Sequence, residues 1–75
     1  MNAENGWKEH FETAVRTINV LAEDLKDSPN SRSVAVIYQL GLASGFAAGK
    51  GWNVPMWFTI QGFQAAHTGK PMIGE

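Results

Sequence analysis

Two histidines, His10 and His67, are the side chains of this 75-residue chain best suited to acid–base chemistry. An imidazole titrates near neutral pH, so either ring could accept or release a proton during a reaction. No serine nucleophile, carboxylate pair or glycine-rich anion site accompanies them at a readable spacing, and two histidines are too few for a metal site on their own. The sequence therefore predicts no enzyme, no cofactor and no metal site.

Lys50 lies in Ser44–Gly51, which superficially resembles a phosphate-binding loop. That segment lacks the first glycine and the Ser or Thr that would hold magnesium, and no predicted strand precedes it. We therefore interpret the Gly-Lys-Gly sequence around Lys50 as a turn that ends a helix.

Composition restricts the kind of protein that can carry these residues. A chain of 75 residues forms one small domain, which usually needs disulfides, a metal or self-association for stability. Cysteine is absent, so self-association is the stabilising device that we expect. The formal net charge of −1 gives no general attraction to nucleic acid or anionic lipid. The polar, acidic amino-terminal residues do not resemble a signal peptide, which predicts a cytoplasmic protein.

Apolar periodicity predicts an all-α three-helix bundle that forms a homo-oligomer. The expected helices cover about 6–27, 32–49 and 54–67, with a tail at 69–75. In the first helix, apolar residues recur at alternating spacings of four and three, and in the third helix we expect Met56, Trp57, Ile60, Phe63 and Gln64 to form one face. Asn5 and Asn53 are the expected amino-terminal caps of these two helices. No alternating two-residue pattern indicates a strand.

Gly41, Gly45 and Gly49 form a glycine stripe along the second predicted helix. A stripe of this spacing allows a second helix to approach closely, so we expect a helix–helix interface there. The partner helix could be the same helix of a second copy or the first helix of the same chain. The uncharged run 33–49 leaves a holin-like, membrane-active protein as an alternative, although seventeen residues with three glycines are short for a membrane span.

Large aromatic and sulfur-containing side chains cluster around the second predicted turn. Trp52, Met56, Trp57 and Phe58 either fill the core or provide an exposed anchor for another macromolecule, with Trp52 projecting from the loop. The third predicted helix carries no Arg or Lys, so we do not expect binding to nucleic acid. We therefore expect the partners to be a second copy of the chain and a host protein.

The segment 29–35, Pro-Asn-Ser-Arg-Ser-Val-Ala, resembles the inter-helix turn of small helical phage proteins that sequester cyclic-oligonucleotide signals. The glycine stripe and the aromatic third helix depart from that family. The resemblance implies an alternative function as an oligomeric sponge for a small anionic signal, with Arg32, Lys50 or Lys70 supplying positive charge.

Small size, the absence of a catalytic motif and a surplus of aromatic surface together favour one function. We expect a non-enzymatic helical interaction protein of phage or mobile-element type that binds and occludes a host macromolecule.

Overall fold

A computed structural model describes the backbone of residues 3–75 and the side chains of residues 6–75, and over that range it contains three helices and no strand. Helix α1 spans Ala3–Asp24, α2 spans Pro29–Gly49 and α3 spans Met56–Thr68. The predicted all-helical, three-helix fold is confirmed. Helix α2 packs against both other helices, whereas α1 and α3 contact each other less. A groove between α1 and α3 therefore lies on the side of the bundle away from α2.

All three helices start at residues other than those predicted, and α3 starts at Met56 rather than at about 54. Helix α1 begins at Ala3, so the expected cap, Asn5, lies inside the helix. Helix α2 begins at Pro29, three residues earlier than predicted. Proline suits the first position of a helix because its fixed φ is already helical and its missing N–H would have no partner there. Pro29 is therefore the first residue of α2 rather than part of the link before it.

The end of α2 matches the prediction that a Gly-Lys-Gly turn closes it. The Gly51 N–H donates to the Ala48 carbonyl at 3.0 Å, and the Trp52 N–H donates to the Ala47 carbonyl at 2.9 Å. Gly51 has a φ of +77°, a backbone conformation that glycine adopts without strain. This pair of bonds is a Schellman motif, which satisfies the last carbonyls of α2. Helix α3 then starts after Pro55, and Asn53 makes no capping bond.

The core lies where the helices meet around two phenylalanines. Phe11 of α1 and Phe58 of α3 are both buried, with ring centroids 4.9 Å apart in an edge-to-face arrangement. The other buried apolar side chains come from all three helices and the carboxyl-terminal segment: Ile18, Ala22, Val36, Leu40, Ala43, Ala47, Ala65, Ala66 and Met72. The apolar stripe predicted for α1 therefore faces the core.

The apolar face predicted on α3 is not the side that packs in the core. Helix α3 buries Phe58, Gly62, Ala65 and Ala66. Its large apolar residues Met56, Ile60 and Phe63 are exposed instead. Gly62 explains this orientation, because the Leu40 side chain occupies the space that a Cβ at residue 62 would need. Small residues on the inner side of α3 allow α2 to approach closely.

The segment 69–75, predicted to be a tail, packs against the bundle. The Met72 side chain is only 3% exposed and belongs to the core. Half-buried amides of Asn19 in α1 and Gln61 in α3 hydrogen-bond to the backbone of residues 72–74. The segment therefore occupies the groove between α1 and α3.

Candidate interaction surface

The glycine stripe lies on the outward side of α2. Buried positions of α2 follow the series Arg32, Val36, Leu40, Ala43 and Ala47. Gly41 and Gly45 are each two residues from Ala43, a rotation of about 200° at about 100° per residue, which places them on the opposite side of the helix. A Cβ added at any of the three stripe glycines would find no atom within 4 Å. Packing of the stripe on α1 of the same chain, one of the two predicted arrangements, is therefore not observed.

Large apolar side chains surround this stripe and are also exposed. Val34 is 71% exposed and Tyr38 is 64% exposed, and both lie on the same side of α2 as the glycines. Ile37, Leu42 and Phe46 widen this apolar area to either side. We call the surface formed by these five side chains and the three stripe glycines the α2 outer face. No charged residue lies on α2 between Arg32 and Lys50, so the α2 outer face is uncharged.

A shallow groove connects the α2 outer face to α3. It has a volume of about 200 Å³ and an apolar lining that includes Ile37 and Gly41 of α2 and Phe63 of α3. Phe63 is 54% exposed, and Ile60 is similarly exposed one turn earlier. The exposed apolar surface therefore continues from α2 onto the outer side of α3.

The structure separates the residues of the predicted aromatic anchor. Phe58 is completely buried in the core, so it cannot contact a partner in this conformation. Trp52 was expected to project from the loop, but it is half-buried, with its ring centroid 5.9 Å from that of His10 and 6.1 Å from that of Phe46. Trp57 is also half-buried and packs edge-on against Phe58. Met56, at 77% exposure, remains freely available for contact.

Arg32, a candidate for anion binding, is buried and bonded within the chain. Its side chain is buried, and its Nε and Nη2 donate to the carbonyls of Ala66 and His67 at 3.2 and 2.9 Å. Its Nη1 points to the Lys26 carbonyl at 3.5 Å. These bonds satisfy the last carbonyls of α3, which have no partner inside the helix. An anion at Arg32 would have to compete with these bonds.

The other two cations proposed for anion binding are exposed. Lys50 lies at the end of α2, with its Nζ 5.5 Å from the centroid of the Phe46 ring, a cation–π distance. Lys70 follows α3 in the carboxyl-terminal segment. Binding of a small anion by these two lysines remains a prediction.

His10 joins α1 to α2 through polar and aromatic contacts. Its Nε2 lies 2.9 Å from the Ala43 carbonyl oxygen, and since a carbonyl only accepts, this contact assigns the ring proton to Nε2. The ring stacks on Phe46 with centroids 4.8 Å apart and an interplanar angle of 25°. His67, the other acid–base candidate, is exposed at the end of α3. The two histidines therefore occupy separate elements and do not form a joint site.

Within residues 6–75, whose side chains the structure describes, no group of three or more His, Asp or Glu side chains is placed to hold a metal ion. Over the same range, no helix combines the length and hydrophobicity that crossing a membrane requires.

Comparison of the chain with protein families, with curated proteins and with solved structures finds no significant match.

Proposed function

We propose that this protein is a non-enzymatic helical interaction protein that forms a homo-oligomer through the α2 outer face. In this proposal it acts in the cytoplasm by binding and covering a host protein, as a small inhibitor of phage or mobile-element type would. Self-association and partner binding use different surfaces, so each can be tested separately.

The observation that carries the proposal is the exposed α2 outer face. Soluble monomers rarely expose a large continuous apolar area, and such areas mark interaction sites. Gly41 and Gly45 would allow two α2 helices to approach closely, while Val34 and Tyr38 would pack on either side of the contact. Two copies related by a twofold axis would cover the same area on each other.

Mass in solution tests the self-association. We expect light scattering over a tenfold concentration range to show an oligomer for the wild-type chain and a monomer for Gly45→Leu. The variant should still fold, because a side chain at residue 45 meets open space within its own chain. Thr17→Leu, at an exposed position of α1, is the matched control and should keep the wild-type mass. An oligomer of unchanged mass in Gly45→Leu would remove the glycine stripe from the interface.

The exposed side of α3 is the surface that we propose for the host protein. Met56 is retained from the predicted anchor, and Ile60 continues the exposed row along the helix. Met56→Glu should abolish capture of one specific protein from a host lysate without changing the mass of the oligomer. Val20→Glu adds the same charge at an exposed apolar position of α1 and should leave capture intact. If Met56→Glu and Val20→Glu capture the protein equally well, the partner does not bind the exposed side of α3.

A further inference from the structure

The groove between α1 and α3 holds an extended peptide, the carboxyl-terminal segment of the chain itself. The Asn19 amide pairs with both backbone polar groups of one residue. Its Nδ2 donates to the Met72 carbonyl at 2.9 Å, and its Oδ1 accepts from the Met72 N–H at 2.7 Å. These two bonds copy the pairing that a neighbouring β-strand would offer.

Gln61 holds the next two residues in the same way. Its Oε1 accepts from the N–H groups of Ile73 and Gly74 at 2.9 and 3.0 Å, and its Nε2 donates to the Gly74 carbonyl at 2.8 Å. Two side-chain amides therefore make five hydrogen bonds to three consecutive residues. Because all five bonds go to the backbone, they place little demand on the sequence of the bound segment.

Side-chain requirements arise at two positions of the bound segment. Met72 is almost fully buried and needs a long, flexible apolar side chain. Gly74 has a φ of +90°, which other residues adopt only with strain. Ile73 between them is 85% exposed, so the groove does not distinguish its side chain. The groove thus recognises methionine, then any residue, then glycine.

An open cleft lies beside the bound segment. It has a volume of about 310 Å³, and its lining includes Trp7, Phe11, Trp57 and Ile73. Trp7 and Trp57 are half-buried, which leaves part of each indole available to a ligand. A longer peptide in the groove would reach the exposed parts of these two indole rings.

We infer that the α1–α3 groove is a receptor for an extended Met-X-Gly segment of the partner protein, and that residues 72–74 are its intramolecular competitor. This inference rests on the proposed function, because it names the kind of segment that the partner supplies. Association of copies through α2 would leave the groove accessible, since it lies on the side of the bundle away from α2.

Methyl NMR of the full-length protein tests the receptor. The probe is a synthetic peptide with the sequence of residues 68–75, added to protein labelled with ¹³C at its methionine methyl groups. A tethered segment competes at an effective concentration on the order of mM, so the peptide is titrated to about 10 mM. The Met72 methyl signal should move to the position of an exposed methionine, while the signal of exposed Met56 serves as the internal reference.

Peptide variants test the recognition rule. The peptide with Met72→Ala should need at least about tenfold more material for the same displacement, since it cannot fill the buried site. The peptide with Ile73→Ser should match the parent within about twofold, because this side chain points into solvent. The peptide with Gly74→Ala should bind more weakly than the parent, because of the strained backbone it would adopt.

Receptor variants complete the test. Full-length Met72→Ala weakens the competitor and should bind the parent peptide about tenfold more tightly. The double variant Met72→Ala with Asn19→Leu should lose this tighter binding of the parent peptide. If Met72→Ala fails to fold, the wild-type titration alone decides.

Three results would overturn the inference: no displacement of Met72 at the highest peptide concentration, equal displacement by the Met72→Ala peptide, or displacement that rises with protein concentration without peptide. The last result would assign the groove to a second copy of the chain. Gly45→Leu should displace its Met72 signal at the same peptide concentrations as the wild type. A failed peptide titration is therefore distinguishable from a failure of association through α2.

Discussion

The surroundings of each glycine determine what a methyl group at that residue would do. At Gly62, an added Cβ would lie 2.8 and 2.9 Å from Cδ1 and Cγ of Leu40, and rotation of the methyl groups alone cannot relieve the contact with Cγ. At Gly45, an added Cβ meets nothing in the same chain. The two helical glycines therefore have opposite roles, one in packing the core and one in keeping a surface flat.

We predict opposite effects of alanine at these two glycines. Gly62→Ala should lower the free energy of unfolding by about 1–3 kcal/mol, because it overpacks the contact between α2 and α3. Gly45→Ala should raise the free energy of unfolding of the dilute monomer by about 0.5–1 kcal/mol, through helix propensity. Urea denaturation at low protein concentration measures both changes. A destabilised Gly45→Ala monomer would contradict the open position of this glycine.

Arg32 provides a second prediction at the scale of single residues. Arg32→Met keeps an apolar stem of similar length but removes the donors to the carbonyls of Ala66 and His67. The Ala66 carbonyl keeps the Ser33 hydroxyl as a donor at 2.9 Å, so the His67 carbonyl is the group that loses its side-chain partner. We expect the free energy of unfolding to fall by about 1–3 kcal/mol, the cost of leaving such a group unpaired. Arg16→Met, at an exposed position of α1, is the control and should change it by less than about 0.5 kcal/mol.

Whole elements show which parts of the fold can be predicted from the sequence. Helix existence follows from local signals: the apolar spacing of α1 and the Gly-Lys-Gly turn at the end of α2. The orientation of α3 does not, because Met56, Ile60 and Phe63 form as regular a face as the buried residues do. That orientation depends on Gly62 meeting Leu40 of another helix.

The candidate interaction surfaces were predictable to a similar extent. The glycine stripe could be predicted because it is local to one helix, whereas its outward position depends on how α2 packs against α1 and α3. The buried position of Phe58 and the capping role of Arg32 depend on contacts between elements, and spacing within one helix does not reveal them. The groove for residues 72–74 was missed because its bonds join residues on different elements, up to 53 positions apart for Asn19 and Met72.

The carboxyl-terminal segment allows a prediction at the scale of elements. Asn19→Leu should release residues 72–74, because the N–H and carbonyl of Met72 lose their shared partner. We expect faster hydrogen exchange at the Ile73 and Gly74 amides and a free energy of unfolding lower by about 1–3 kcal/mol. Asn30→Leu, at an exposed position of α2, should leave both measurements unchanged. Unchanged exchange at residues 73 and 74 in Asn19→Leu would show that the buried Met72 side chain and the Gln61 bonds hold the segment without Asn19.

At the scale of the whole molecule, the chain closes its core and still leaves large apolar side chains outside. In the described part of the chain, every buried polar side-chain atom has a hydrogen-bond partner, so the core needs no second copy to be complete. We therefore expect a folded monomer in dilute solution and assembly as a separate step.

Thermal unfolding at several protein concentrations tests whether the chain folds as a monomer and then associates. If only the folded chain associates, the wild-type melting temperature should rise with protein concentration, since association stabilises the native state by mass action. Gly45→Leu should melt at a temperature independent of concentration. A wild-type melting temperature that does not change over a hundredfold dilution would contradict assembly through the α2 outer face.

In helix α2, the residues that make core contacts and the exposed apolar residues are two separate sets. Val36, Leu40 and Ala43 hold the bundle together, and none of them belongs to the outer face. If α2 associates through its outer face as proposed, substitutions at Val34 or Tyr38 change that association while the fold stays intact. Two diverging copies of such a gene could acquire separate assembly preferences through a few outer substitutions, without first having to evolve a more stable core.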